Sequence, residues 1–344
     1  MKKLLVLAVV LFLFFGCINF DFLGGQKDGS TVTVTNGSQT GTSLVITSKT
    51  NYSTLNNDTN SNGKLNGSVG FRYVQTPDAM AVVYFIPVAD ESNQGDAIFI
   101  KKGDVDILID AGPDTDGGKV IDFLKSKKVD DIEILVSTHP DPEHYGGIRA
   151  VAEKYGIEQF WWVGNSFGNT NYDKLISDLK ARGVDVKIVS RDSTTSINGM
   201  NLRILNPPST AVSAEGDADA MDNNAVAIKL LDRNFCLMFT SDILYEAQTQ
   251  IGLLPDIQCN ILQMPYHGLG IGTSNIAMML IKVQPKDAIV SGGVTDFHSQ
   301  GGQQNSRISM FELLRIKDIN SYVNYEKGAV KVVSDGKTYA ISYE

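Results

Sequence analysis

Beyond residue 70 the chain alternates between short apolar runs and stretches whose apolar positions recur every three or four residues. Runs at 81–88, 97–101 and 105–110 are rich in β-branched and aromatic side chains and are split by polar turns such as Lys102-Gly103-Asp104, which predicts an antiparallel meander. Val120, Phe123 and Leu124 then fall at helical spacing between Gly118 and Lys128, and 132–136 is the next strand. Ile148, Val151, Ala152 and Tyr155 make a helix face that stops at Gly156. The second half repeats the alternation: a helix over 172–182, strands over 186–189 and 202–205, a hairpin pair over 225–231 and 235–240, and a helix over 243–251. Strands over 261–264 and 288–290 flank a helix over 276–282, and 329–333 with 338–342 form a hairpin around Asp335-Gly336 that closes a sheet edge. Meanders and crossover helices in two similar halves predict an α/β sandwich, two sheets face to face with helices outside.

The first 70 residues follow neither pattern. Met1-Lys2-Lys3 is a positive leader, residues 4–15 are an unbroken apolar run, and Gly16-Cys17 follows. Such a run is too short to span a bilayer comfortably. It reads as a lipoprotein-type signal peptide over 1–17, ending in a lipobox whose Cys17 would be lipidated. Residues 18–70 are dominated by Ser, Thr, Asn and Gly and predict a disordered stalk. Asn36, Asn51, Asn57 and Asn66 each begin an Asn-x-Ser/Thr triplet, either as glycosylation acceptors or as chance products of the composition. This layout places a globular domain over 71–344, anchored to the outer face of the cell membrane.

Charge narrows the partner class. The net charge is −9, and residues 1–70 carry five Lys and three Asp, which leaves residues 71–344 at −11 without a basic run. A long polyanion is normally held by clustered Lys and Arg, so short fragments or small molecules fit better. Cys236 and Cys259 lie in separate apolar segments and are expected as two buried thiols rather than a disulfide.

Two of the four histidines fall in His139-Pro140-Asp141-Pro142-Glu143-His144, just after the 132–136 strand and before Gly146-Gly147. Imidazoles and carboxylates interleaved at a strand end suit a divalent cation. The alternative for His139 and His144 is a pair of loop histidines capping the next helix. His267 and His298 also follow apolar runs and sit in glycine-containing loops.

The stretch from Ser137 through Gly147 resembles the THxHxDHxGG signature of the metallo-β-lactamase superfamily, in the HxDxDH variant of the extracytoplasmic ComEC-like competence branch. Further segments keep the family's order: Gln94-Gly95-Asp96 and Ile107-Leu108-Ile109-Asp110-Ala111-Gly112 in its opening hairpin, then Asp222-Asn223-Asn224 in its paired-Asn strand. Thr240-Ser241-Asp242 matches the TGD motif, Pro265-Tyr266-His267-Gly268 the PHHG motif, and Ser291-Gly292-Gly293 the late SVG strand. The resemblance implies an αββα four-layer sandwich with two divalent metal ions, zinc or manganese. It implies His139 and Asp141 at one metal, Glu143, His144 and His267 at the other, and Asp242 bridging, although Asp242 at a strand end also suits an N-cap. Glu143, Asp242 and His298 are the candidate catalytic residues, with a hydroxide activated by the metals as nucleophile and His298 either a proton donor to the leaving group or a surface histidine.

Three positions depart from the pattern: Glu143 stands where the superfamily usually has Asp, Tyr266 replaces the first His of PHHG, and no His lies between His144 and His267. The expected activity is a metal-dependent hydrolase resembling phosphodiesterases or nucleases, on a short phosphodiester or other small-molecule substrate. The alternatives are hydrolysis of a lactam, lactone or thioester, and a non-catalytic surface binding protein on the same fold.

Overall fold

In the computed structural model, residues 32–34, 42–44, 73–88, 94–209, 219–269, 276–292 and 303–344 are described. The chain divides into two units, Met1–Val69 and Gly70–Glu344. In the first, β1 (Val32–Val34) pairs antiparallel with β2 (Thr42–Leu44). Cys17, the Asn-x-Ser/Thr triplets and His298 lie outside the described residues.

The second unit is built from two sheets. The first sheet contains β3 (Ala81–Phe85), β4 (Ile98–Lys102), β5 (Val105–Ile109), β6 (Asp131–Val136), β7 (Gly156–Trp162) and β8 (Asp185–Ile188), with β16 (Val330–Ser334) and β17 (Tyr339–Tyr343) added beside β3. Its order is β17-β16-β3-β4-β5-β6-β7-β8, antiparallel as far as β5 and parallel from β5 to β8. The second sheet runs β15 (Asn320–Val323), β14 (Asp287–Val290), β13 (Ile261–Gln263), β12 (Phe235–Phe239), β11 (Ala227–Asp232), β10 (Met200–Asn206) and β9 (Thr194–Ile197). It is parallel from β12 to β15 and antiparallel from β9 to β12, so each sheet repeats the other's plan.

Alternation along the strands separates the layers. Ile98, Ile107, Val136, Ile228, Leu237 and Ile261 fill the space between the sheets. Phe99, Leu108 and Leu135 point outward against helices α1 (Gly117–Ser126), α3 (Ile148–Lys154) and α4 (Thr170–Ala181) through Val120, Leu124, Ile148 and Tyr172. On the other sheet Met238, Leu262 and Ala288 pack on α6 (Tyr245–Gly252) and α7 (Ile276–Val283) through Ile251 and Met279. Strands covered on both faces are apolar throughout, which is why they read as continuous runs. The result is the expected αββα sandwich.

The predicted meander and the C-terminal hairpin form, with β17 at a sheet edge. Strands β7, β9 and β15 and helix α8 (Gln303–Ile316) were not predicted. Thr194-Thr195-Ser196 carries too few apolar positions to announce a strand, and pairing with β10 creates it, while β7 opens on the mixed Gly156-Ile157-Glu158-Gln159 before its buried Phe160-Trp161-Trp162. The expectation of two separate thiols is corrected: Cys236 and Cys259 form a disulfide across a sequence separation of 23. Cys236 is the second residue of β12, and Cys259 lies just ahead of the parallel β13, so the sheet sets them side by side.

Candidate metal centre

The chemistry-bearing residues gather at one end of the sandwich. Asp110 follows β5, His139 follows β6, Asp242 follows β12, His267 follows β13 and Ser291 follows β14. Asp96 lies just before the antiparallel β4, and Asp222 lies in the short helix α5 (Ala220–Asn223) that precedes β11. The carboxyl ends of parallel strands are where open α/β sheets form their crevices.

Each of the three described histidines is oriented through Nδ1. Asp110 Oδ1 accepts from the Thr138 amide at 2.8 Å, and its Oδ2 accepts from Thr138 Oγ1 at 2.6 Å and from His144 Nδ1 at 3.0 Å. The single Thr138 hydroxyl proton goes to Asp110, so Thr138 Oγ1 is an acceptor for Ser241 Oγ at 2.8 Å and for His139 Nδ1 at 2.9 Å. His267 Nδ1 donates to the Ser291 carbonyl at 3.1 Å. With all three Nδ1 atoms used as donors, Nε2 is the nitrogen each imidazole turns into the site, the arrangement that outer hydrogen bonds give to metal-ligating histidines.

These Nε2 atoms surround Asp242. His144 Nε2 is 3.3 Å from Asp242 Oδ2 and His267 Nε2 is 3.3 Å from Oδ1, while His139 Nε2 faces Asp222 Oδ1 at 3.7 Å. The ring centres of His139 and His144 are 4.3 Å apart, and those of His144 and His267 5.5 Å. Ligand atoms of His139, His144 and Asp242 lie within 4.8 Å of one another, as do those of Asp96, Asp242 and His267. His139 Nε2 is buried with no hydrogen bond, which a cation would relieve and an ordinary helix-capping histidine would not leave open. Asp242 caps no helix either, because α6 begins at Tyr245 with Leu244 before it. The donor set fits a divalent metal.

The electrostatics favour added positive charge. Burial and the neighbouring His144 push the His139 imidazole down to about 3, so it stays neutral and able to ligate. Burial opposes charge on His144 and His267, yet Asp242 outweighs it and raises both; the two imidazoles in turn hold Asp242 well below the usual carboxylate range against its own burial. Asp222 is pushed up to about 8 by burial, then by Asp242 and Asp141, and Tyr266 to about 12 by burial, then by Asp222 and Asp242. Anions crowded so closely raise one another unless a cation separates them.

The local backbone is strained to achieve this. Asp110, Ser241, Tyr266 and His267 all have φ between 49° and 56°, left-handed values that non-glycine residues adopt only when their surroundings enforce them. Residues 91–162, which include the opening hairpin and the His139–His144 cluster, match the family model of the metallo-β-lactamase superfamily.

Over this stretch the chain is similar to the metallo-β-lactamase superfamily. The ComE operon protein 3 of Bacillus subtilis is 22% identical over 255 residues, covering 67% of this chain, and the chain spans about a third (32%) of that relative's length. Solved structures similar to it include the metallo-β-lactamase fold protein YhfI from Bacillus subtilis, at 9% identity and a TM-score of 0.49, covering 74% of this chain and 100% of that one. The diiron β-hydroxylase CmlA from Streptomyces venezuelae aligns at 11% identity and a TM-score of 0.48, covering 72% and 53%.

Against the superfamily's pattern, the structure brings His139, His144, Asp242 and His267 together and engages the other two expected ligands elsewhere. Asp141 caps the short helix α2 (Pro142–Tyr145), its Oδ1 accepting from the Glu143 amide at 2.7 Å, because Pro142 opens a helical turn inside the motif. Glu143, one methylene longer than Asp, accepts from the Gln94 amide through Oε2 at 3.2 Å. Neither belongs to the tight donor groups. Three further residues join the site: Asp96, Asp110 and Asp222. Asp110 and Asp96 were visible as polar residues beside apolar hairpin runs, and Asp222 as the acid preceding two asparagines. Those asparagines shape the turn that presents it: Asn223 Oδ1 accepts from the Ala247 amide at 3.1 Å, and Asn224 Nδ2 donates to the Ala220 carbonyl at 2.7 Å.

Proposed function

We propose that this chain is a metal-dependent hydrolase of phosphodiester bonds in short substrates, working outside the cytoplasm and anchored to the membrane through a lipidated Cys17. The observation that supports it most is the convergence of His144 and His267 Nε2 on Asp242, with His139 Nε2 beside them buried and unbonded. His139, with Asp222 beside it, would hold one divalent cation, and His144 and His267 the other, with Asp242 between. When bound, such cations lower the pKa of a water and neutralise charge developing on the scissile group.

The chain's own residues divide the remaining work. Thr138, Asp110 and Ser291 fix the imidazoles, so the donors are set before any ligand arrives. Beside the centre a groove of about 1110 Å³ is lined by Asp141 and Glu143 and also by Tyr145, Arg149 and Lys174. Arg149 and Lys174, which share the carboxylate of Asp178 at 2.6 and 3.0 Å, are the groove's cations for a phosphate, set against Asp114, Asp141 and Glu143 in the same lining. The negative charge of the rest of the domain favours short substrates over long polyanions.

The test is turnover of bis(p-nitrophenyl) phosphate by purified full-length protein with Mn2+ and with Zn2+. Turnover that requires metal and is lost in His144→Ala and Asp242→Ala is expected. Full rates in both variants would overturn the assignment. Stoichiometric metal binding without turnover of any phosphodiester would favour a surface binding protein.

A further inference from the structure

Glu143 sits at the motif position where the superfamily usually has Asp, and its Oε2 accepts from the Gln94 amide. The same loop supplies another carboxylate. A Cβ on Gly95 would lie 2.3 Å from the Glu143 carbonyl, so glycine is what lets the 94–96 segment pass against the motif. The next residue, Asp96, is 1% exposed.

Asp96 is held from one side only. Gln263 Oε1 accepts from the Thr240 and Ser241 amides at 3.0 and 3.3 Å, which turns its Nε2 toward Asp96 Oδ2 at 2.7 Å. Asp96 Oδ1 is buried with no hydrogen bond. A carboxylate oxygen of Asp96 lies within 4.8 Å of ligand atoms of Asp242 and His267, and within the same limit of Asp110 and His144. Buried carboxylates this close repel strongly unless a proton or a cation lies among them. Gln263 contributes only a neutral donor and leaves the second oxygen open.

Resting on the metal-centre reading above, we propose that Asp96, and not Glu143, supplies the carboxylate donor to the cation held by His144, His267 and Asp242. The donor role passes from the histidine motif to the opening hairpin, and Glu143 instead clasps the loop that carries its substitute. Gln263, fixed by the two amides that follow β12, is the positioning residue for Asp96.

Replacing Asp96 by asparagine separates the two ways of relieving the repulsion. The amide would mimic a protonated carboxyl and keep an oxygen for Gln263 Nε2, but it offers a nitrogen in place of a donor lone pair. Mn2+ titration of the full-length protein, with free ion followed by electron paramagnetic resonance, is expected to show two ions per chain in the wild type. In Asp96→Asn the dissociation constant of one ion should rise at least about tenfold, or about 1.4 kcal/mol, while Glu143→Gln should change it by clearly less. Metal-free melting curves check the fold, and Asp96→Ser replaces the Asp96→Asn variant in the same titration if the latter unfolds. Unchanged binding of both ions in the Asp96 variant, or transfer of the loss to Glu143→Gln, would overturn the proposal alone. A wild type that binds no Mn2+ and no Zn2+ would overturn the metal centre and this proposal together.

Discussion

At Asp110 one carboxylate takes three hydrogen bonds and thereby sets two histidines, His144 directly and His139 through Thr138. Burial pushes this carboxyl upward, and the His144 and Thr138 bonds offset only part of that rise. Asp110→Asn replaces an acceptor by a donor against His144 Nδ1. It should weaken metal binding about 10- to 100-fold, as loss of an outer hydrogen-bond partner typically does, read by competition with a chelator. Gly147 acts by size alone: a Cβ there would meet the Ala111 carbonyl at 2.2 Å, where β5 and the histidine motif touch. Gly147→Ala should cost about 1–3 kcal/mol in urea unfolding, with no comparable effect for Gly118→Ala, which has open space around it.

Between elements, two links join parts that sequence order keeps apart. The Cys236–Cys259 disulfide ties the start of β12, the strand that leads to Asp242, to the chain just ahead of β13, which leads to His267. From its loop length, Cys236→Ala with Cys259→Ala should cost about 2–4 kcal/mol, and a reductant should lower the melting temperature of the wild type but not of this variant. At the other end of β4 from the site, Lys102 Nζ meets Asp232 Oδ2 of the facing sheet at 2.9 Å, both side chains buried. Lys102→Met leaves Asp232 paired only with the partly exposed Arg233 at 3.2 Å and should destabilise the fold, whereas Lys102→Met with Asp232→Leu should recover most of the loss. A double-mutant cycle by chemical denaturation measures both; equal losses in the single and double variants would show that the pair is not coupled.

For the molecule as a whole, metal and fold stability are one equilibrium, since the donors come from both sheets and meet only when the sandwich closes. At a metal concentration a hundredfold above the dissociation constant, the native state should gain about 2.7 kcal/mol, seen as a metal-dependent rise in melting temperature absent from His144→Ala. The net charge of −9 sets a second expectation. Turnover of a short phosphodiester should change little between low and physiological salt, whereas a protein that tracks a long polyanion loses affinity steeply over that range. Among the described residues no helix is long and apolar enough to cross a membrane.

The sequence by itself determined the layers and the place of the site. Buried strands announce themselves as apolar runs, amphipathic helices by their spacing, and histidines beyond strand ends by their scarcity, all of which are local signals. Polar edge strands such as β9 carry no such signal and exist only because a neighbour supplies their hydrogen bonds. Tertiary structure alone decided which donors meet. Asp96, Asp110 and Asp222 lie far along the chain from His139, His144, Asp242 and His267 or from one another, and are brought together because both sheets end at one rim. It decided as well that Glu143, a ligand by its position in the motif, bonds to Gln94, and that two cysteines in separate segments pair. Motif spacing fixes which residues share a loop; only the packing of the two sheets fixes which side chains share a charge.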